Sequence, residues 1–179
     1  ARTKNVYPLA LLNGFRLKNI YPKEDHTDPI NLSFIIASGS LIRISVLDDV
    51  GEFYDPFFID LVDIEWCLRA LSLGYKVYAS PNVSIEHSIG DKRIFSFGKE
   101  ISIHSPLRRY FMVRNNILMA RFNHVPIRYR IRIFFGIVFR SIRFLVAVKF
   151  DVDYIHAIFL GVSDGLKNRG GNAPSSVIK

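Results

Sequence analysis

The chain has 179 residues and a formal net charge of +8, which is one domain's length and enough to bury a sizeable core. With 49% hydrophobic against 22% charged residues it is not a disordered composition, and its single cysteine, Cys67, excludes an internal disulfide and a cysteine-based zinc site. The charge is unevenly placed. Residues 1–100 carry 11 Lys and Arg against 13 Asp and Glu, whereas residues 101–179 carry 13 against 3, with no acid from Ile101 to Phe150. Such asymmetry signals a polyanionic partner, a nucleic acid or an anionic membrane, for the second part of the chain. The chain begins at Ala1 with no signal-type segment, so a fragment of something longer is one expectation.

Residues 1–31 read as strand fragments and loop, with "YPKEDHTDPIN" turn-rich and exposed. "LSFIIASGSLIRI" (32–44) is a β-rich apolar run broken at Ser38-Gly39-Ser40. A glycine there marks a bulge, a ligand's close approach, or a plain strand-to-strand bend. Ser45 offers an N-cap for a short helix ending at Gly51, and Asp48-Asp49 fits a solvated helix face better than a metal site.

"FFIDLVDIEWCLRALSLGY" (57–75) is the clearest helix. Asp60 can cap it, Val62, Trp66, Arg69, Ala70 and Leu73 recur at helical spacing, and Gly74 supplies a left-handed stop. "YKVYAS" (75–80) and "VSIEH" (83–87) read as strands about a Pro81-Asn82 turn, and Gly90 to Gly98 as a loop with Lys92, Arg93 and, just beyond, Lys99. Strands alternating with helices predict an α/β fold.

From Ser105 the character changes. "SPLRRYFMVRNNILMARFN" predicts a helix with Pro106 in its first turn. Residues 127–150 are apolar but carry Arg128, Arg130, Arg132, Arg140, Arg143 and Lys149, and their longest apolar run, Ile133 to Phe139, is far short of the ~20 residues a bilayer span needs. Arg128, Arg132, Arg140 and Arg143 fall within roughly a third of the helix circumference, with Phe and Ile on the other faces. That pattern predicts a helix lying in a membrane interface. A core helix with a solvated basic face and a nucleic-acid surface are the alternatives, the last disfavoured by so much bulky aliphatic side chain.

Two residues carry candidate chemistry. Asp63 falls in the first turn of its helix, where the macrodipole and free N–H groups stabilise a carboxylate that could accept a proton from a substrate hydroxyl. Asp60, Asp63 and Glu65 could equally be ordinary helix-start acids, and no more than one or two of them share a face. His87 ends a strand and could ligate Mg²⁺ or Mn²⁺ alongside carboxylates, or simply be packed and hydrogen-bonded.

"ASGSLIRISVLDDVGEFYDPFFIDLVDIEWCLRALSLGYKVYASPNVSIEHSIG", followed by "HSPLRRYFMVRNN", resembles the C-terminal half of bacterial family 2 glycosyltransferases, and the rhamnosyltransferases of surface-polysaccharide synthesis in particular. Ser38-Gly39-Ser40, Gly51, Phe58 to Asp60, Asp63, Glu65-Trp66-Cys67, Arg69, Gly74-Tyr75, His87, Gly90, Arg108, Tyr110, Arg114 and Asn115 follow that family's pattern in order, closely over residues 32–120. The resemblance implies part of a GT-A, Rossmann-like fold over 1–104 and a basic, helical, membrane-associating region over 105–179. It implies an inverting transfer of rhamnose from a nucleotide sugar such as dTDP-rhamnose onto a lipid-linked saccharide of O-antigen type at the inner face of the cytoplasmic membrane, with no nucleic-acid partner. By the same resemblance Asp63 is the catalytic base, although Val62 stands where the commonest motif has glutamate. Ser38, Gly39, Ser40, Trp66 and Arg114 lie on the substrate or acceptor side, and His87 helps hold Mg²⁺ or Mn²⁺. For Arg114 and Asn115 phosphate contact and a structural bond stay equally open. The family's N-terminal nucleotide-binding strands and Asp-x-Asp metal motif are not found in this sequence, and Asp151-Val152-Asp153 comes too late to replace them. A truncated form that binds donor poorly is therefore expected, with an inactive membrane-associated fragment as the alternative.

Overall fold

The computed structural model describes residues 9–22, 27–83, 92–96 and 99–177. It divides into two compact units, one of Ala1–Phe53 with Asp63–His87, the other of Tyr54–Val62 with Ser88–Lys179. Nine residues from the middle of the chain, Tyr54–Val62, thus belong with its C-terminal part.

In the first unit, β1 (Leu9–Asn13) and β2 (Arg16–Ile20) form an antiparallel hairpin. Gly14, at φ 61°, opens its two-residue turn, a backbone region that costs glycine nothing. β3 (Ile30–Leu32) pairs antiparallel with β4 (Val77–Ala79) and lies beside β1 through the Ala10–Phe34 bridge. The run over 32–44 is not the strand expected. After Phe34 the chain leaves the ladder and turns at Ser38-Gly39, where Ser40 N–H donates to the Ala37 carbonyl and Ser40 Oγ to that of Ile36. Those local bonds replace ladder bonds.

α1 (Ile44–Val50) starts one residue before Ser45, uses no side-chain cap, and ends at Gly51 with φ 84°. α2 (Val62–Ser72) stops where expected, at Gly74 with φ 89°. Leu32, Phe34, Val50, Trp66, Leu68 and Val77 make the buried core of this unit.

The second unit is mainly helical. Tyr54–Val62 contributes a 3₁₀ turn over Asp55–Phe57. β5 (Lys92–Ser96) and β6 (Lys99–Ile103) pair as an antiparallel hairpin where a loop was expected from Gly90 to Gly98. α3 (Pro106–Met119) opens as its sequence predicts, with Ser105 Oγ accepting from Arg108 N–H. α4 (Ile127–Ala147) and α5 (Val152–Leu166) follow, and Asp151 caps α5 by accepting from Asp153 N–H. The described residues are thus mixed α/β with three two-stranded sheets. All three are antiparallel, so a parallel Rossmann-like sheet is not among the described residues.

α3 and α5 meet along their lengths because Ala157, Gly161 and Gly165 line one face of α5. A Cβ on Gly161 would sit 2.8 Å from the Tyr110 carbonyl oxygen, and one on Gly165 2.8 Å from Ile117 Cβ. Backbone cannot yield as a side-chain tip can. Gly161→Val is therefore expected to lower the melting midpoint by roughly 5–10 °C, measured by circular dichroism. An unchanged midpoint would show that the helices are not so closely held.

Candidate active site

Asp63 sits in the first turn of α2, half-buried, and both its oxygens are engaged by backbone. Oδ2 accepts from Ala37 N–H at 3.0 Å and Oδ1 from Ile64 N–H at 2.9 Å. The Ala37 bond ties the carboxylate to the Ser38-Gly39 turn, so the expected base and the expected small-residue substrate turn are neighbours. Each oxygen keeps a further lone pair for a proton donor.

The same carboxylate lines a cavity of about 350 Å³, together with Ser40, Arg43, Phe53, Trp66 and Tyr75. That volume is at the small end of ligand sites. Trp66 is 6% exposed, donates its indole N–H to the Gly51 carbonyl at 2.8 Å and lies 5.7 Å from the Phe53 ring. It is thus both core and wall, and an apolar ring face is the surface on which a sugar's C–H groups pack. Cys67 also lines the cavity, but burial first of all pushes its thiol up, which makes it a poor nucleophile. Arg43 and Phe53 were not read from the sequence, since nothing local marks them, and Tyr75 was matched to the family pattern without a role. Tyr75 is held in place by its hydroxyl, which donates to Asp49 Oδ2 at 2.6 Å.

Glu65 does not face the cavity. It is 1% exposed and takes the Arg69 guanidinium at 3.0 Å on both oxygens. Arg69 in turn donates to the Val50 and Glu52 carbonyls. A Cβ on Gly51 would lie 3.3 Å from Arg69 Nη1, so the glycine serves close approach as well as the turn. Gly51, Glu65, Trp66 and Arg69 are one clamp that fixes α2 against the end of α1.

The expected cap, Asp60, lies two residues before α2 begins, in the second unit. Its carboxylate accepts from Arg108 Nε and Nη2 at 3.1–3.2 Å. Phe58, Asp60 and Leu61 have φ of 62°, 64° and 66°, a left-handed backbone that costs an L-residue roughly 1–2 kcal/mol. α3 holds it there. Asn115 Nδ2 donates to the carbonyls of Phe57, Ile59 and Asp60. Arg114 Nη2 donates to those of Pro56 and Phe57, Nη1 to that of Gly171, and Nε to Asn115 Oδ1.

Arg114, expected on the substrate side, is enclosed among these main-chain partners. It is 0% exposed, and its donors are spent on main-chain carbonyls and on Asn115. Of the two roles open for the pair, the structural one describes this arrangement. No spacing rule joins Arg114 to a loop 57 residues earlier. The segment so held runs directly into α2 and Asp63.

His87, the expected metal ligand, lies outside the described residues. Among the described residues no three His, Cys, Asp or Glu side chains stand close enough to hold a metal, so these residues do not form the Mg²⁺ or Mn²⁺ site that the resemblance implies.

The chain is similar to a dTDP-rhamnosyl transferase, RfbF of Shigella flexneri. The two are 38% identical over 170 residues, which is 93% of this chain and 56% of the relative. The chain therefore spans little more than half of that protein's length. No family model matches it, and no solved structure does.

Proposed function

We propose that the protein acts as an inverting glycosyltransferase of family 2, moving rhamnose from dTDP-rhamnose to a lipid-linked saccharide of surface-polysaccharide or O-antigen type. The observation that carries the reading is the 38% identity to a dTDP-rhamnosyl transferase over nearly all of this chain. The cavity beside Asp63 supports it, because a single displacement needs a carboxylate where an acceptor hydroxyl can rest.

In the reaction, Asp63 Oδ takes the hydroxyl proton as the acceptor oxygen bonds to the anomeric carbon of the donor. The bond from that carbon to the phosphate oxygen breaks on the opposite face, and dTDP leaves with the electron pair. The backbone N–H groups of Ala37 and Ile64 keep the carboxylate aimed while it gains the proton. Trp66 and Phe53 give the acceptor ring an apolar wall. The GT-A fold and a position at the inner face of the bacterial cytoplasmic membrane belong to the same proposal.

The test is rhamnosyl transfer from dTDP-rhamnose to a lipid-linked saccharide by the full-length protein, read by mass of the product. Transfer of rhamnose with inversion is the expected result. Transfer only from another nucleotide sugar would overturn the donor assignment, and no transfer from any would overturn the activity.

A further inference from the structure

α4 turns to solvent side chains that a globular helix buries. Phe134, Phe135, Val138, Phe139 and Ile142 are each 47–68% exposed. At 100° per residue they share, with Ile127, Ile131 and Val146, a strip of roughly 140°. The opposite face, Tyr129, Ile133, Ser141 and Phe144, is buried. Along one border of the strip run Arg128, Arg132 and Arg143, all exposed. A second exposed apolar row follows on α5, formed by Val152, Ile155, Phe159 and Leu166.

We propose that the exposed face of α4 docks on an anionic lipid bilayer, with Phe134, Phe135, Phe139 and Ile142 entering the acyl boundary and Arg128, Arg132 and Arg143 meeting headgroup phosphates. Charge complementarity selects this occupant. The sequence places no acid from Ile101 to Phe150, and beneath α4 lies a further cation. Arg109 of α3 is 8% exposed, its guanidinium is 3.5 Å from the Phe144 ring centroid, and its Nε has no hydrogen-bond partner. Burial, and after it Arg140, holds the Arg109 guanidinium down at about 10. Because it packs against the buried face of α4, it contributes only to the positive field of this region, which draws an anionic surface.

The alternatives fit less well. A second copy on the same strip would bring two arginine rows together. A nucleic acid would satisfy the charge but leave the phenylalanines in water. The helix cannot cross the bilayer, because no described helix is long and apolar enough. A strongly amphipathic helix with arginines bordering its apolar face lies in the interface plane.

The inference deepens the membrane part of the proposed function and is independent of Asp63. The experiment is co-sedimentation of the protein with phosphatidylcholine vesicles, with and without phosphatidylglycerol, and light scattering on the protein alone. Binding to the anionic vesicles that weakens with added salt is expected. Phe134→Ser and Phe139→Ser should each lower the partition coefficient roughly tenfold or more. Arg132→Gln and Arg143→Gln should lower it roughly fivefold each, on anionic vesicles alone. All four positions are exposed, so unchanged melting midpoints show that the variants fold. Wild-type binding that the phenylalanine variants retain would overturn this surface and leave the membrane reading standing. No wild-type binding would overturn both. A dimer that Phe139→Ser converts to monomer would assign the strip to a second copy instead.

Discussion

Asp63→Asn is expected to lower turnover in the proposed rhamnosyl transfer by the full-length protein roughly 10²–10⁴-fold, the usual contribution of a general base. The substitution keeps the shape and one oxygen for Ala37 N–H, so the tie to the Ser38-Gly39 turn survives. What it removes is the ability to take a proton, together with the acceptor for Ile64 N–H. The loss should fall on kcat, with KM for dTDP-rhamnose little changed, because the donor is not bound through this carboxylate in the proposed reaction. A melting midpoint within a few degrees of wild type separates the result from unfolding. Turnover retained by the folded variant would remove Asp63 from the role of base and leave its N–H bonds as a helix-start arrangement.

The largest effect on stability is expected at Arg114. Arg114→Leu removes a buried cation and strips donors from the Gly171, Pro56 and Phe57 carbonyls, at a cost of roughly 3–5 kcal/mol. That is a large share of the 5–15 kcal/mol by which folded domains are stable. Arg114→Lys should not rescue it, since one ammonium cannot reach carbonyls that a planar guanidinium spans. Asn115→Asp has the same shape but turns a carboxylate oxygen toward the carbonyls of Phe57, Ile59 and Asp60, and should be comparably damaging. Chemical denaturation reads both. A stable Arg114→Leu protein that has lost only substrate affinity would restore Arg114 to the substrate side.

Helices were the legible part of this fold. α2 with Gly74, α3 with Pro106 and α4 with its arginines follow from spacing and end signals that act within a few residues. The misread segments depend on distant partners or on bonds that compete with a ladder. Residues 32–44 have strand composition, but Ser40 bonds back to Ile36 and the chain turns. The Gly90 to Gly98 segment, rich in charge, looked like a loop, yet Lys92 to Ser96 finds its partner strand in Lys99 to Ile103. In the candidate site, the place of Asp63 in a first turn could be read locally, whereas its bond to Ala37 spans 26 residues. Left-handed backbone at Phe58, Asp60 and Leu61 has no glycine to announce it, and is set by Asn115 as many as 58 residues away. A guanidinium in a basic stretch suggests a phosphate, and only burial shows that Arg114 is occupied by carbonyls.

The nine residues from Tyr54 to Val62 also bear on how this chain can be divided. Because they complete the helical unit from within the other unit's sequence, no single cut releases that unit whole. A piece beginning at Ser88 would keep Arg114, Asn115 and Arg108 but lose the carbonyls of Pro56, Phe57, Ile59 and Asp60 and the Asp60 carboxylate that they grip. Arg108 would then lack its carboxylate and Asn115 its three carbonyls, while Arg114 would keep Gly171 and Asn115 but lose Pro56 and Phe57. Recombination that exchanges C-terminal regions between related proteins would meet the same constraint: the α3 residues and the loop before α2 must be inherited together.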